Sequence, residues 1–205
     1  MTIFISDLHL GYKKCQAKRL YKFLLDHTNH DKIVLVGDVI DDHQMKLWPI
    51  EHQDVLRLLL TFNEIIYLPG NHDKRFRRIF GVFGNAYFTN KYLFRTKDKV
   101  YLVTHGDQYD WWTKYTRFLS ESLIAKYSRS FFTLFHDWFL DDDSYYQHRL
   151  VRAAKEHNCD GIICGHNHLP EIKTISAIDY LNCGDWVHNC TGIVEEKGIF
   201  TLKSY

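Results

Sequence analysis

Proline is scarce in this chain, with 3 residues among 205. Together with a 45% hydrophobic composition, that excludes a Pro-rich or disordered polypeptide and leaves material for a packed core. Long apolar runs are missing as well. None approaches the ~18 residues that a membrane span needs. Neither sign of charge is in excess: Lys plus Arg is 26 and Asp plus Glu is 25, a formal net charge of +1. The totals therefore give no reason to expect a nucleic-acid partner. Cysteine occurs five times, at Cys15, Cys159, Cys164, Cys183 and Cys190, an odd number with no C-x-x-C pair. No secretory signal is read at the start of the chain, so the expectation is reduced thiols in a cytoplasmic protein.

Histidine and aromatic residues are plentiful. There are 13 histidines, and Phe, Trp and Tyr make up 16% of the chain. Histidine is the commonest side-chain metal ligand. Apolar periodicity predicts strands over residues 1–6, 32–36, 64–68, 100–104 and 160–164, and helices over 17–27, 52–62 and about 147–157. The tail from Glu171 reads as further strands: EIKTISAI, YLNCG, TGIVEE and GIFTL. Strands alternating with helices predict an α/β layered fold, and the lack of a repeat or linker predicts one domain over 1–205.

The second strand ends in LVGDVIDD, which sets Asp38, Asp41 and Asp42 directly after a buried apolar run. Carboxylates in such a place cost free energy unless a cation compensates them. The other strands end alike. The first gives Asp7-Leu8-His9, the third Gly70-Asn71-His72-Asp73, the fourth His105-Gly106-Asp107 and the fifth Gly165-His166-Asn167-His168. In an α/β sheet the C-terminal strand ends converge on one crevice. Asp, Asn and His there form a hard-to-borderline ligand set suited to Mn²⁺, Fe or Zn²⁺, and the absence of thiolates disfavours a structural zinc. Asp42 reads as a solvated or capping residue.

This ordered set, DLH, GDVID, GNHD, HGD and GHNH, resembles the calcineurin-like metallophosphoesterase superfamily. The resemblance implies a four-layer αββα sandwich with two divalent metal ions, Mn²⁺ first among them. By position, one ion would be held by Asp7, His9, Asp38 and His168. The other would be held by Asp38, Asn71, His105 and His166, with Asp38 as the bridge and Asp41 supporting it. His72 would assist the leaving oxygen, and Asp73 would fix its tautomer. Two cations sharing a carboxylate acidify a water and hold phosphoryl oxygens, which is phosphoester hydrolysis.

The longer stretches ISDLHLG, THGDQYD, DGIICGHNH and YLNCGDWVHNCTGIVEE resemble a narrower branch, homologues of UDP-2,3-diacylglucosamine diphosphatase. That implies a phosphodiester or diphosphate substrate, nucleotide- or lipid-linked, of the kind met in lipid A synthesis. The chain departs from that branch at His72, where the diphosphatases carry Arg, and at His188, where the homologues carry Glu. Between residues 111 and 140 aromatic and aliphatic side chains recur at helical spacing, with Lys114, Arg117, Lys126 and Arg129 between them. A helical insertion at about 111–146, capping the site as an apolar groove or touching a membrane peripherally, is expected there, beside the alternative of ordinary core packing. Arg75, Arg77 and Arg78, with Lys74, are candidates for a second phosphate. His52 is a candidate for reaching the substrate or a surface helix position. A phosphodiesterase or nuclease on the same site and a non-catalytic metal-binding scaffold are the alternatives.

Overall fold

The computed structural model describes residues 1–27, 32–41, 48–110 and 143–205. Asp42 and the stretch from 111 to 142, where the helical cap is expected, lie outside them. Two β-sheets form the centre. The first contains β1 (Thr2–Ile5), β2 (Lys32–Val36), β3 (Glu64–Leu68), β4 (Gly81–Phe83) and β5 (Ala86–Phe88), with β11 (Thr191–Glu196) and β12 (Ile199–Ser204). Its order is β12-β11-β1-β2-β3-β5-β4. The second contains β6 (Tyr92–Arg95), β7 (Val100–Val103), β8 (Gly161–Cys164), β9 (Glu171–Ile175) and β10 (Ile178–Asn182), in the order β6-β7-β8-β10-β9.

The central strands are parallel, with Ile3 level with Ile33 and Ile33 with Ile65 in one sheet, and Leu102 level with Ile162 in the other. Antiparallel strands close the edges. Helices α1 (Ala17–Asp26) and α2 (Ile50–Leu59) lie against the first sheet, and α3 (Asp143–Glu156) against the second.

Period-two alternation sorts each strand's side chains between layers. Ile3, Ile5, Ile33, Leu35, Ile65 and Tyr67 pack under α1 and α2 with Leu20, Phe23, Leu24 and Val55. The residues between them, Phe4, Val34, Val36, Ile66 and Leu68, meet Tyr101, Val103, Ile163 and Leu181 of the second sheet. On that sheet's far face Leu102, Ile162, Cys164 and Tyr180 pack against Leu150, Val151 and Ala154 of α3. Helix, sheet, sheet, helix is the αββα order. Both faces of each central strand are buried, which is why those strands read as unbroken apolar runs.

Three strands escape the periodicity analysis. β4, β5 and β6 are only 3, 3 and 4 residues long and largely exposed, so no alternation can accumulate. The segment EIKTISAI is not one strand: it breaks at Ser176 and Ala177, both left-handed (φ 50° and 65°), and β9 turns back into β10. Such two-residue turns favour Asn-Gly, and Ser-Ala carries no such mark. Among the described residues no helix is long and apolar enough to cross a membrane.

Candidate metal centre

The five motif-bearing strand ends come from both sheets, not from one. β1, β2 and β3 deliver Asp7, Asp38 and Asn71, while β7 and β8 deliver His105 and His166. The first two loops are knitted together by backbone bonds: Asp7 N–H donates to Gly37 C=O and His9 N–H to Asp38 C=O, both at 3.0 Å. Five of the seven candidate ligands sit in the left-handed region: Asp7 (φ 53°), His9 (49°), Asp38 (50°), His166 (77°) and His168 (58°). This region costs a non-glycine residue roughly 1–2 kcal/mol, and packing must hold it in place. The strain turns each side chain from the strand direction into the space between the sheets.

Glycines clear the way for the neighbouring strand's ligand. A Cβ on Gly70 would stand 2.1 Å from Asp38 Oδ1, and one on Gly165 2.4 Å from Asp7 Oδ2. At Gly37, whose φ is +90°, it would meet His105 Nδ1 at 2.3 Å.

Three groups of ligand atoms lie mutually within 4.8 Å: Asp7, His9 and His168; Asp7, Asp38 and His105; His9, Asp38 and His72. Asp38 belongs to two of them. Its Oδ1 accepts the His72 backbone N–H at 2.7 Å, and Oδ2 faces His105 Nε2 at 3.4 Å. His105 Nδ1 lies 2.9 Å from Val36 C=O, so it donates there and Nε2 is the atom aimed at the site. Asn71 Oδ1 is 3.2 Å from that Nε2. Asp7 Oδ2 accepts the His166 backbone N–H at 2.9 Å, while Oδ1 faces His168 Nε2 at 3.1 Å.

The electrostatics describe a site that wants positive charge. Burial favours neutral groups, yet the mutual attraction outweighs it. Asp38 is held well below the usual carboxylate range, chiefly by His105 against the cost of burial. His105, whose pKa burial alone would lower, is raised to about 10 by Asp38 and Asp7. Burial likewise opposes His168, and Asp7 still raises it. Burial wins at His9, which is lowered despite Asp7, and at Asp73, which is raised to about 6. The His105 proton stands where a cation would. The residues fit a metal: Asp7 Oδ1 is fully buried and faced by the His168 imidazole, the paired carboxylates are inside, and the donor set is oxygen and imidazole nitrogen.

The sequence of calcineurin-like phosphoesterases matches residues 2–170. The chain belongs to the calcineurin-like phosphoesterase family. Members of that family use a dinuclear metal site. No curated protein matches the chain in sequence. Solved structures share its fold. Wild-type Vps29 complexed with Zn²⁺ from Entamoeba histolytica has a TM-score of 0.54 at 14% identity, over 100% of this chain and 97% of that one. Vps29 of Chaetomium thermophilum has a TM-score of 0.56 at 9% identity, over 100% and 96%. An archaeal phosphodiesterase has a TM-score of 0.54 at 15% identity, over 100% and 99%.

Around the ligands of this calcineurin-like site the structure redistributes several expected roles. Asp73 does not orient His72. It is fully buried, and its carboxylate accepts from Val39 N–H (3.0 Å), Tyr67 OH (2.7 Å) and Gly70 N–H, so it holds the GNHD loop together. Asp41 takes the place beside His72, with Oδ2 3.5 Å from Nδ1 and 3.8 Å from His9 Nδ1. Arg77 is engaged by protein. It donates to Gly70 C=O at 3.1 Å and grips Asp107 through two bonds of 2.7 and 2.6 Å, tying the Asn71 loop to the His105 loop. Arg75 and Arg78 are exposed on the same 3-10 turn, Lys74–Arg78. His52 does not lie on the surface. It is buried on α2 and accepts the Gly11 N–H at 2.9 Å, bracing the DLH loop.

His166 Nε2 is bonded to Asp110 Oδ2 at 2.9 Å, so its Nδ1 is the nitrogen left for a metal. Asp110 lies within the THGDQYD stretch, but no spacing rule marks it out. The tail motif acts as a brace: Trp186 N–H donates to Asp7 C=O at 3.1 Å and Asn189 Nδ2 to His168 C=O at 2.7 Å. Asp185 holds that turn by accepting from the Val187 N–H at 2.7 Å.

Proposed function

We propose that this chain is a metal-dependent phosphoesterase that hydrolyses a phosphodiester or diphosphate bond. The observation that carries the reading is the pair of buried carboxylates, Asp7 and Asp38, each shared between two groups of ligand atoms. Divalent cations held there would supply a nucleophile at neutral pH and offset the charge gathering on phosphoryl oxygens. Asp7, His9, Asp38 and His168 would hold one ion, and Asp38, Asn71, His105 and His166 the other.

The chain's own residues supply the rest. The His72 backbone N–H fixes Asp38 in its bridging orientation. The His72 ring is the exposed edge of the cluster, with 37% of the side chain open, and stands 4.8 Å from the His9 ring. Asp41 Oδ2 faces its Nδ1 at 3.5 Å, and the ring, entering the reaction as an imidazolium, would hand a proton to the leaving oxygen and be left neutral. Manganese suits this donor set, with iron and zinc as alternatives. The finer substrate, a nucleotide- or lipid-linked diphosphate like a UDP-diacylglucosamine, rests on the resemblance of the tail motif YLNCGDWVHNCTGIVEE to that branch. The cytoplasmic, reduced setting is supported by five cysteines among which none is bridged.

Purified protein with Mn²⁺ is expected to hydrolyse bis-p-nitrophenyl phosphate, and Asp38→Asn to lose more than about 10³-fold. A second reading, a metal-binding scaffold, draws on the likeness in fold to Vps29. Absence of turnover on every phosphoester and diphosphate offered, with metal bound, would decide for it.

A further inference from the structure

The edge of the first sheet carries an apolar surface that the metal centre does not use. β4 is the last strand of that sheet, paired only with β5, and lacks the Lys or Pro that commonly guards an edge. Phe80 is 59% exposed, Val82 73% and Phe83 55%, and Tyr87 is exposed beside them. Leu60 is 68% exposed at the same end, where Asn85 Nδ2 donates to Phe62 C=O at 2.6 Å. The hairpin is anchored by ring packing. Phe83 packs on Phe88 at 5.7 Å, and Phe88 stacks on Tyr67 at 4.9 Å and on Phe76 at 6.4 Å.

Charge along the hairpin and the turn before it is one-sided. From Lys74 to Asn90 the chain has four cations, Lys74, Arg75, Arg77 and Arg78, and no carboxylate, although the whole protein is near neutral. Arg75 and Arg78 are exposed to solvent, five and two residues before Phe80.

We infer that the β4–β5 hairpin and the basic turn before it dock this protein on an anionic membrane surface. Aromatic and aliphatic side chains would enter the headgroup boundary while the arginines meet lipid phosphates. A second copy fits less well, because a symmetric contact through this segment would set the same exposed arginines against each other. Single-stranded nucleic acid would stack on Phe80, Phe83 and Tyr87 but leave the more exposed aliphatic Val82 and Leu60 uncovered, so it fits less well too. The same turn reaches the Gly70 and Asp107 loops through Arg77, so docking would set the metal centre beside the bilayer. Binding is independent of hydrolysis, so this inference and the phosphoesterase reading fail separately.

The test is sedimentation of the full chain with phosphatidylcholine vesicles and with vesicles containing about one-third phosphatidylglycerol. Wild type is expected to bind the anionic vesicles at least ~10-fold more tightly, with binding weakened by salt. Val82→Ser/Phe83→Ser and, separately, Arg75→Glu/Arg78→Glu are expected to lose at least ~10-fold, with unchanged circular dichroism. The serine variant should keep wild-type turnover of bis-p-nitrophenyl phosphate. Equal binding to neutral vesicles, or serine-variant binding equal to wild type, overturns the inference. So does the absence of vesicle binding, whether accompanied by hairpin-dependent dimerisation or by hairpin-dependent binding of an oligonucleotide.

Discussion

Replacing Gly37 by alanine tests the close packing of the two sheets at the metal centre. Two separate costs arise. Gly37 has φ +90°, where a Cβ strains the backbone by about 1 kcal/mol or more. The new Cβ would also lie 2.3, 2.4 and 2.6 Å from Nδ1, Cγ and Cβ of His105. His105 cannot retreat cheaply, because it is buried and its Nδ1 is bonded to Val36 C=O at 2.9 Å. Overpacking of a buried site costs about 1–3 kcal/mol, so the two together come to about 2–4 kcal/mol. For a chain of this length that lowers the melting temperature by roughly 5–15 °C. The protein should still fold, but with His105 Nε2 displaced from Asp38. Urea unfolding gives the first quantity. Titration with Mn²⁺ by calorimetry gives the second, with the affinity of one ion expected to fall by more than about tenfold. Stability within about 0.5 kcal/mol of wild type and an unchanged titration would refute the account of why glycine stands there.

Arg77→Ala severs the clamp between the Asn71 and His105 loops, and metal affinity should fall by about tenfold in calorimetry; an unchanged isotherm would deny the clamp its positioning role. Asp179 receives bonds from Lys99 Nζ at 2.6 Å and Tyr101 OH at 3.0 Å, which outweigh burial and lower its pKa. Its folded value lies below its unfolded one, so its stabilisation is present above about pH 4 and is lost as pH falls through the folded value. The stability gap between wild type and Asp179→Asn, about 1 kcal/mol or less with Lys99 half-exposed, should be constant above about pH 5 and shrink as the pH is lowered below about 4 in urea titrations. A gap independent of pH would contradict it. Burial pushes the Cys15 and Cys164 thiols up to about 12, so native protein should react slowly with a disulfide reagent near pH 8 and release all five thiols only on unfolding. Rapid stoichiometric labelling of folded protein would count against that.

Legibility in the sequence followed burial. β3 is read to the residue because Glu64-Ile65-Ile66-Tyr67-Leu68 is apolar wherever either sheet face is covered. β4 and β5 carry the same kind of residues, but Val82 and Phe83 point to solvent and the strands are too short to show a period. The β9–β10 turn is hidden for a different reason. Ser176 and Ala177 adopt left-handed angles under tertiary compulsion, whereas turn signals in sequence report only residues that go there willingly.

The centre divides along the same line. Asp7, His9, Asp38, Asn71, His105, His166 and His168 are legible because each follows an apolar strand, and strand ends are fixed by pattern. The supporting contacts are not legible, because they join residues far apart in the chain. Nothing local says that Asp73 will turn inward to Tyr67 and Val39, leaving Asp41 beside His72, or that Arg77 will cross to Asp107. Each choice is settled by which charge can be buried with full hydrogen bonding. Asp73 can be buried because three donors meet it, and Asp41, also buried, is turned toward the imidazoles of His72 and His9. A GNHD motif therefore specifies where its histidine sits, while the neighbouring GDVID loop decides which acid orients it. The chemistry of the site is a property of two loops from two strands, and no single motif contains it.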